Sequence, residues 1–195
     1  IKSTYIPTII LGDGTFLVAR QIQTPDLVGF PLHVMDRQGH IVRSFGADVP
    51  QYRDDQKLQF ERVAGVGRAG TIWVAAPGRY EFERWDPIRG TRLQTLPVKS
   101  SWFMPSSRMA RLSERPNSLV LSLWEKDGVL WVLSRTADAL WKPSEHRAGD
   151  RPHDDAEYDR TLDWVLEAID PASAAVIAHR RFGTAMWPAP PAYVV

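Results

Sequence analysis

One internal repeat limits what this chain can fold into. Three short runs begin with a glycine and continue with β-branched, aliphatic or aromatic residues: GTFLVA at 14–19, GTIWVA at 70–75 and GVLWVL at 128–133. Their glycines are 56 and 58 residues apart. Such runs are typical of β-strands, and the residue pairs before them, two of which are Asp-Gly, predict tight turns. Each run is apolar at successive positions, as expected of a strand covered on both faces.

Each unit of the repeat contains three further strand-like runs in the same order. One precedes the glycine, the second ends in Asp36, Asp86 or Asp170 before a four-residue turn, and the third follows that turn and carries arginine. We expect the three aspartates to cap their turns by accepting hydrogen bonds from backbone N–H groups. The repeat predicts a strand at 162–170, although the apolar spacing there also fits a helix. Four consecutive strands in about 57 residues are typical of a propeller blade.

A glycine pattern inside the second unit needs a separate test. GVGRAG at 65–70 matches G-x-G-x-x-G, and Asp86 follows where a dinucleotide-binding fold carries an acidic residue. In such a fold the glycines open a helix whose N-terminus faces the pyrophosphate. Here they lead into a strand pattern, and Pro77 and Gly78 leave no room for a helix before the next strand. The pattern therefore predicts a hairpin turn, not a dinucleotide site.

Two stretches, 30–46 and 70–96, resemble NHL-like six-bladed β-propellers of bacteria, which are usually exported. The resemblance covers 5–183, although the regular Pro-Gly entry to the first strand is missing. It implies an all-β fold, a single β-propeller segment over 1–195, and an extracytoplasmic location, periplasmic or secreted. The segment is expected to hold about three four-stranded antiparallel blades of a partial six-bladed propeller. The blades are predicted at 5–46, 58–97 and 118–183, with the start of a further blade at 191–195.

Three blades do not close a ring, because propellers have four to eight. Two apolar blade faces are then left uncovered. Three arrangements would cover them: a longer polypeptide, a second copy of the chain, or another subunit. The first residue, Ile1 rather than Met, and the strand-like final run favour the longer polypeptide.

Composition excludes several classes of function. With 24 basic and 23 acidic residues the net charge is +1, which offers nucleic acid no general electrostatic attraction. The chain has no cysteine, so disulfides, thiolate nucleophiles and cysteine zinc sites are excluded. No apolar run approaches 18 residues, so no transmembrane segment is predicted. The sequence also lacks the G-x-S-x-G motif of serine hydrolases.

Metal binding has two candidate locations. The long connection at 141–160 holds His146, His153 and several acidic residues, but their spacing matches no ligand motif and favours a polar surface loop. The resemblance also includes calcium-dependent lactonases, for which Glu61 and Asn117 are the candidate ligands. No cofactor is otherwise expected, so Ca²⁺ belongs to the hydrolase alternative alone.

Aromatic and methionine residues gather in connections between units, at 100–108 and 184–195. Such residues are enriched at protein interfaces, and they also fill the space between blades. The sequence therefore predicts a non-catalytic protein-binding or scaffold module, with a protein partner or larger assembly. The alternative is a calcium-dependent lactonase or esterase-type hydrolase. The residues predicted to contact the partner are Trp102, Phe103, Met104, Arg108, Trp141, Met186 and Trp187.

Overall fold

The computed structural model describes residues 8–22, 24–46, 61–110, 114–142 and 162–183. Within these ranges the regular secondary structure is β-strand except for a short 3₁₀ turn at Arg68–Gly70. None of the described residues forms a helix with the length and apolar character needed to cross a membrane.

The strands form three four-stranded antiparallel sheets, each a simple meander of consecutive strands. The first sheet contains β1 (Thr8–Ile10), β2 (Phe16–Ala19), β3 (Leu32–Met35) and β4 (Ile41–Phe45). The second contains β5 (Val63–Val66), β6 (Ile72–Ala75), β7 (Glu81–Asp86) and β8 (Thr91–Pro97). The third contains β9 (Leu119–Lys126), β10 (Val129–Ala137), β11 (Leu162–Ile169) and β12 (Val176–Gly183).

The second sheet is covered on both faces. Successive side chains of a strand point to opposite faces. Accordingly, Ile72 and Val74 of β6 pack with the first sheet, whereas Trp73 and Ala75 pack with the third. All four residues of β6 are buried. In β2 and β10 burial alternates instead, because each outer sheet has one described neighbour. The expectation of a strand covered on both faces is therefore confirmed for β6 alone.

The first strands of neighbouring sheets lie against each other. β5 contacts β9 along its length, and β1 contacts β5. The approach is closest at Gly65, where a Cβ atom would lie 1.6 Å from the backbone carbonyl oxygen of Leu123. The last strands β8 and β12 are mostly exposed, and β4 is exposed at Val42 and Arg43. The described sheets therefore approach one another at their first strands, β1, β5 and β9.

The repeated aspartates cap their turns as predicted. Asp36 accepts hydrogen bonds from the backbone N–H groups of Gln38 and His40 at 2.9 and 2.8 Å. Asp86 accepts one from Arg89 at 3.0 Å, and Asp170 accepts one from Ala172 at 3.0 Å. The backbone N–H of His40 lowers the pKa of Asp36, and the hydroxyl of Ser173 lowers that of Asp170.

Of the other predictions from the sequence, two are confirmed and two differ from the structure. The hairpin at 65–70 is confirmed, since β5 turns into β6 through the 3₁₀ element, and the strand at 162–170 is confirmed as β11. The second unit was predicted from residue 58; its first described strand begins at Val63, and residues 58–60 lie outside the described ranges. Trp131 is half-buried, whereas Trp73, at the same position of the repeat, is 0% exposed.

Replacing Gly65 by alanine is expected to destabilise the protein by about 1–3 kcal/mol, because the new methyl group would force β5 and β9 apart. Urea unfolding followed by tryptophan fluorescence measures this. The matched control is Gly12→Ala, since a Cβ at Gly12 meets nothing within 4 Å. Equal unfolding midpoints for the two variants would show that the close approach is not a constraint.

Candidate functional site

The connection from β8 to β9 is held against the second sheet over its first half. The backbone N–H of Val98 donates to the carbonyl oxygen of Tyr80 at 3.2 Å, and that of Ser106 donates to Gly78 at 2.9 Å. The N–H of Met104 donates to the hydroxyl of Ser118 at 3.2 Å. These bonds fix the path of residues 98–106 across the end of the second and third sheets.

Four aromatic rings pack together where this connection crosses the sheets. Tyr80 lies at the centre, with its ring centroid 5.1 Å from Phe82, 5.4 Å from Trp102 and 4.7 Å from Phe103. Phe103 is buried in the core between the second and third sheets, and Trp102 packs at its border. These two aromatic residues therefore fill space between sheets. The sequence had left this role open beside contact with a partner.

A buried carboxylate holds this aromatic cluster from the third sheet. Glu167 of β11 is 3% exposed, and one of its oxygens accepts a hydrogen bond from the hydroxyl of Tyr80. Its other oxygen accepts from the indole N–H of Trp102 at 2.9 Å and contacts Nδ1 of His179 at 2.7 Å. Burial and the neighbouring Glu167 raise the pKa of Tyr80, so its hydroxyl stays protonated and donates.

This arrangement acts as an anchor. The carboxylate of Glu167 has three partners and satisfies the polar atoms of Tyr80 and Trp102, which would otherwise be buried without partners. His179 lies on the outer strand β12 with 42% of its side chain exposed, so the network reaches the surface there. We interpret the network as the structural support of residues 98–106.

A second buried carboxylate joins the same two sheets near their inner strands. Glu125 of β9 accepts hydrogen bonds from the indole N–H of Trp73 at 2.8 Å and from the backbone N–H of Arg68 at 3.1 Å. The guanidinium of Arg68 lies 3.6 Å from its other oxygen. Glu125 and Glu167 thus tie the second sheet to the third at two separate points.

The sequence did not single out either carboxylate as functional. Glu167 lies on the inward face of the strand LDWVLEAI, together with the strand's other acidic residue, Asp163. An acid at an inward position of a strand is a usable signal, since a buried charge needs partners. Its partners could not be found, because Tyr80 is 87 residues away in sequence.

The remaining predicted partner-binding residues lie at the surface or outside the described ranges. Met104 is 62% exposed. Arg108 forms a two-bond ion pair with Glu114, at 2.8 and 3.0 Å, and this pairing raises the pKa of its guanidinium. Trp141 is half-buried. Met186 and Trp187 lie outside the described residues, so the contact of this set with a partner stays a prediction.

The structure describes some of the candidate metal ligands, and the others lie outside the described ranges. The side-chain oxygen of Asn117 accepts a hydrogen bond from the backbone N–H of Ala110. Within the described ranges there is no group of three or more His, Asp or Glu side chains positioned to hold a metal ion. The histidines and acids of the connection at 143–160 lie outside those ranges.

Comparison of this chain with known proteins shows a similarity of fold. No protein-family model matches the sequence, and no curated protein does. The crystal structure of a DUF4221 family member from Bacteroides vulgatus aligns over 91% of this chain and 52% of its own, at 11% identity and a TM-score of 0.55. A protein of unknown function from Bacteroides caccae aligns over 89% and 48%, at 12% identity and a TM-score of 0.45.

The chain therefore spans about half the length of these two solved structures. At such low identity the likeness to the DUF4221 structure concerns the sheet-rich fold alone. Neither protein is described as an NHL or propeller protein, so the resemblance to that family stays a prediction.

Replacing Glu167 by glutamine is expected to lower the free energy of unfolding by about 1–3 kcal/mol, because an amide cannot accept hydrogen bonds from all three partners. Amide hydrogen exchange in residues 98–106 should speed up in the same variant, since their anchor is weakened. Urea unfolding and exchange followed by mass spectrometry measure the two effects.

The control for this prediction is Glu114→Gln, which neutralises a carboxylate in an exposed ion pair with Arg108. Exposed pairs contribute about 0–1 kcal/mol, so this variant should stay close to the wild type. Unchanged hydrogen exchange at 98–106 in Glu167→Gln would contradict the anchoring role.

Proposed function

We propose that the three sheets are consecutive blades of a β-propeller, and that the chain acts as a non-catalytic protein-binding or scaffold module. Three features support the propeller. The sheets stack face to face, with the second covered by both neighbours. Their first strands lie together on the inner side, and their last strands are exposed on the outer side. Blades around a central channel have this arrangement.

The observation that carries the binding role is the unequal division of connections between the two ends of the sheets. In a four-stranded meander the first and third turns lie at one end of the strands. The second turn lies at the opposite end, where the chain also enters and leaves the sheet. The first and third turns are short in every sheet, as at 36–40, 86–90 and 127–128. We call the end of the strands that carries them the turn edge.

The opposite edge carries the long connections, and we call it the loop edge. Its described parts include 24–31, 98–110 and 138–142. A hydrogen bond joins the connection between β6 and β7 to the third sheet there, from the N–H of Val120 at the start of β9 to the carbonyl oxygen of Pro77 at 2.8 Å. Binding residues are concentrated in loops that a rigid scaffold positions, so this edge is the natural place for a partner.

Large apolar side chains are exposed along the loop edge. Met104 is 62% exposed, Met109 is 45% exposed and Leu140 is 84% exposed. Arg108 lies between the two methionines in sequence and is paired with Glu114. Exposed methionine, with aromatic and arginine residues nearby, is typical of protein interfaces. These side chains favour a protein partner over a small polar substrate.

A hydrolase of the lactonase type remains the alternative from the resemblance, and no described feature favours it over the binding module. The extracytoplasmic location is likewise part of the proposal and rests on the resemblance.

Site-specific photo-crosslinking in the producing cell tests the binding role. A benzophenone side chain placed at Met104 or at Leu140 should give the same discrete adduct with another protein. The control position is Ile88, which is 49% exposed in the turn between β7 and β8 at the turn edge. It should give no such adduct, because the partner is expected at the loop edge alone.

Two outcomes would count against the module. Adducts of equal yield at Ile88 and Met104 would show that the loop edge has no preference. Stoichiometric Ca²⁺ binding to the purified chain by calorimetry, with ester or lactone hydrolysis, would support the hydrolase instead.

A further inference from the structure

A buried histidine lies in the first sheet, apart from the aromatic cluster and its carboxylate. His33 of β3 is 0% exposed, and its Nδ1 lies 2.7 Å from the hydroxyl oxygen of Ser44 on β4. Its neighbours in the strand, Leu32 and Val34, pack in the core with the second sheet, so His33 points to the other face. A polar side chain at such depth has to find its partners within the protein.

The cover over His33 is local to the loop edge. Met35, two residues along the strand on the same face, is only half-buried. The backbone carbonyl groups of Arg20 and Phe30 lie beside the imidazole. These two residues stand at the two ends of the connection from β2 to β3. The part of it at 24–31 belongs to the loop edge, and we call it the 24–31 connection.

Buried polar atoms without partners flank this connection. Within the described part of the chain, Nε2 of His33 has no hydrogen-bond partner, and neither side-chain amide atom of Gln21 has one. Three of the six such atoms therefore belong to the two residues that bracket one connection. A buried polar group without a partner regains hydrogen bonds when water reaches it, so these atoms favour local opening.

The backbone hydrogen bonds of the 24–31 connection are mostly internal. For example, the N–H of Val28 donates to the carbonyl oxygen of Thr24 at 2.9 Å. Its end is tied to the sheet by the bond from the N–H of Arg20 to the carbonyl oxygen of Pro31, at 2.9 Å. Segments with few links to the rest of a fold open at a small cost in free energy.

The imidazole has few charged groups around it. Its cross-strand neighbours on the same face are Val18 and Ser44, and β1 to β4 place no charged side chain on that face. Arg20 follows directly after β2 at the next position on this face, and its charge disfavours a second positive charge nearby. On the connection itself the charged residue is Asp26, which is exposed.

These surroundings make opening sensitive to pH. Burial lowers the pKa of His33, and the carbonyl groups of Arg20 and Phe30 oppose this shift in part. An exposed histidine takes up a proton near pH 6.5, at about its ordinary pKa. Below that pH, the open form binds a proton that the closed form resists, so acid favours opening. Above it, the imidazole is neutral in both forms and pH has no effect.

We propose that the 24–31 connection is a pH-sensitive element of the loop edge, closed over a neutral His33 and opened when His33 takes up a proton. Opening lets water reach the imidazole and the side chain of Gln21, whose polar atoms then gain partners. The first sheet stays formed, because Leu32 and Val34 bury its other face against the second sheet. This response needs no partner at the loop edge and does not depend on what covers the outer sheets.

Amide hydrogen exchange at pH 7.5 and pH 5.5, followed by mass spectrometry, tests the proposal. Each rate is divided by the rate of an unstructured peptide at the same pH, so that protection is compared. In the 24–31 connection, protection should fall by up to about tenfold at pH 5.5, because the open form gains a proton. Protection in β10 (Val129–Ala137) should not fall, since that strand is paired on both sides.

Two substitutions assign the response to one histidine. His33→Gln removes the group that takes up the proton and keeps a polar side chain beside Ser44, so protection at 24–31 should no longer depend on pH. The matched control is His40→Gln at the turn edge, where the side chain of His40 is 77% exposed beside Asp36. This variant should keep the pH response of the wild type.

Nuclear magnetic resonance of the wild-type chain gives a second readout, which decides the matter even if His33→Gln does not fold. The ring signals of His33 should change together with the backbone signals of the 24–31 connection as the pH is lowered, since proton uptake and opening are one event.

Three results would overturn the proposal. Protection at 24–31 could be the same at both pH values, or His33→Gln could respond to pH as the wild type does. Alternatively, the ring of His33 could titrate while the backbone signals at 24–31 stay unchanged. Crosslinking at Met104 and Leu140 tests the binding role separately, because both residues lie outside the 24–31 connection.

Discussion

Covering both faces of the second sheet is the constraint on which the rest of the structure depends. β6 buries all four of its residues, and its two faces enter separate clusters with the first and third sheets. A strand that is apolar on both faces cannot be stable in a single sheet exposed to water. The first and third sheets are therefore required for the second, and each of them has another face on which no described sheet packs.

Polar groups fix how the second and third sheets meet. Apolar packing alone is tolerant of sliding, whereas a buried carboxylate needs specific donors. The carboxylate of Glu125 accepts a hydrogen bond from the indole of Trp73. That of Glu167 accepts hydrogen bonds from the side chains of Tyr80 and Trp102. A third link joins Gln94 to the carbonyl oxygen of Pro171 at 2.7 Å. Together these contacts select one register between two otherwise apolar surfaces.

Much of the fold could be predicted from the sequence, because its cause is local and repeated. Turn aspartates such as Asp36, the glycine-led strands and the apolar pattern of β6 each act within a few residues, and three copies in register reinforce one another. The site was harder to predict. Phe103 appeared as a candidate contact but is buried, since composition cannot show whether an aromatic side chain faces a partner or the core. Glu167 was missed because its donors come from distant segments.

The distance between those segments has a consequence for folding. The connection at 98–106 obtains its anchor from Glu167, which lies 65 residues after Trp102 and 87 after Tyr80. During synthesis all residues of the second sheet leave the ribosome long before the strand that carries this carboxylate. Contacts of such sequence separation form late, because the intervening loop must close first. The loop edge therefore gains its final shape only when β11 joins the third sheet, so in a nascent chain stalled before that point the connection at 98–106 would lack its anchor.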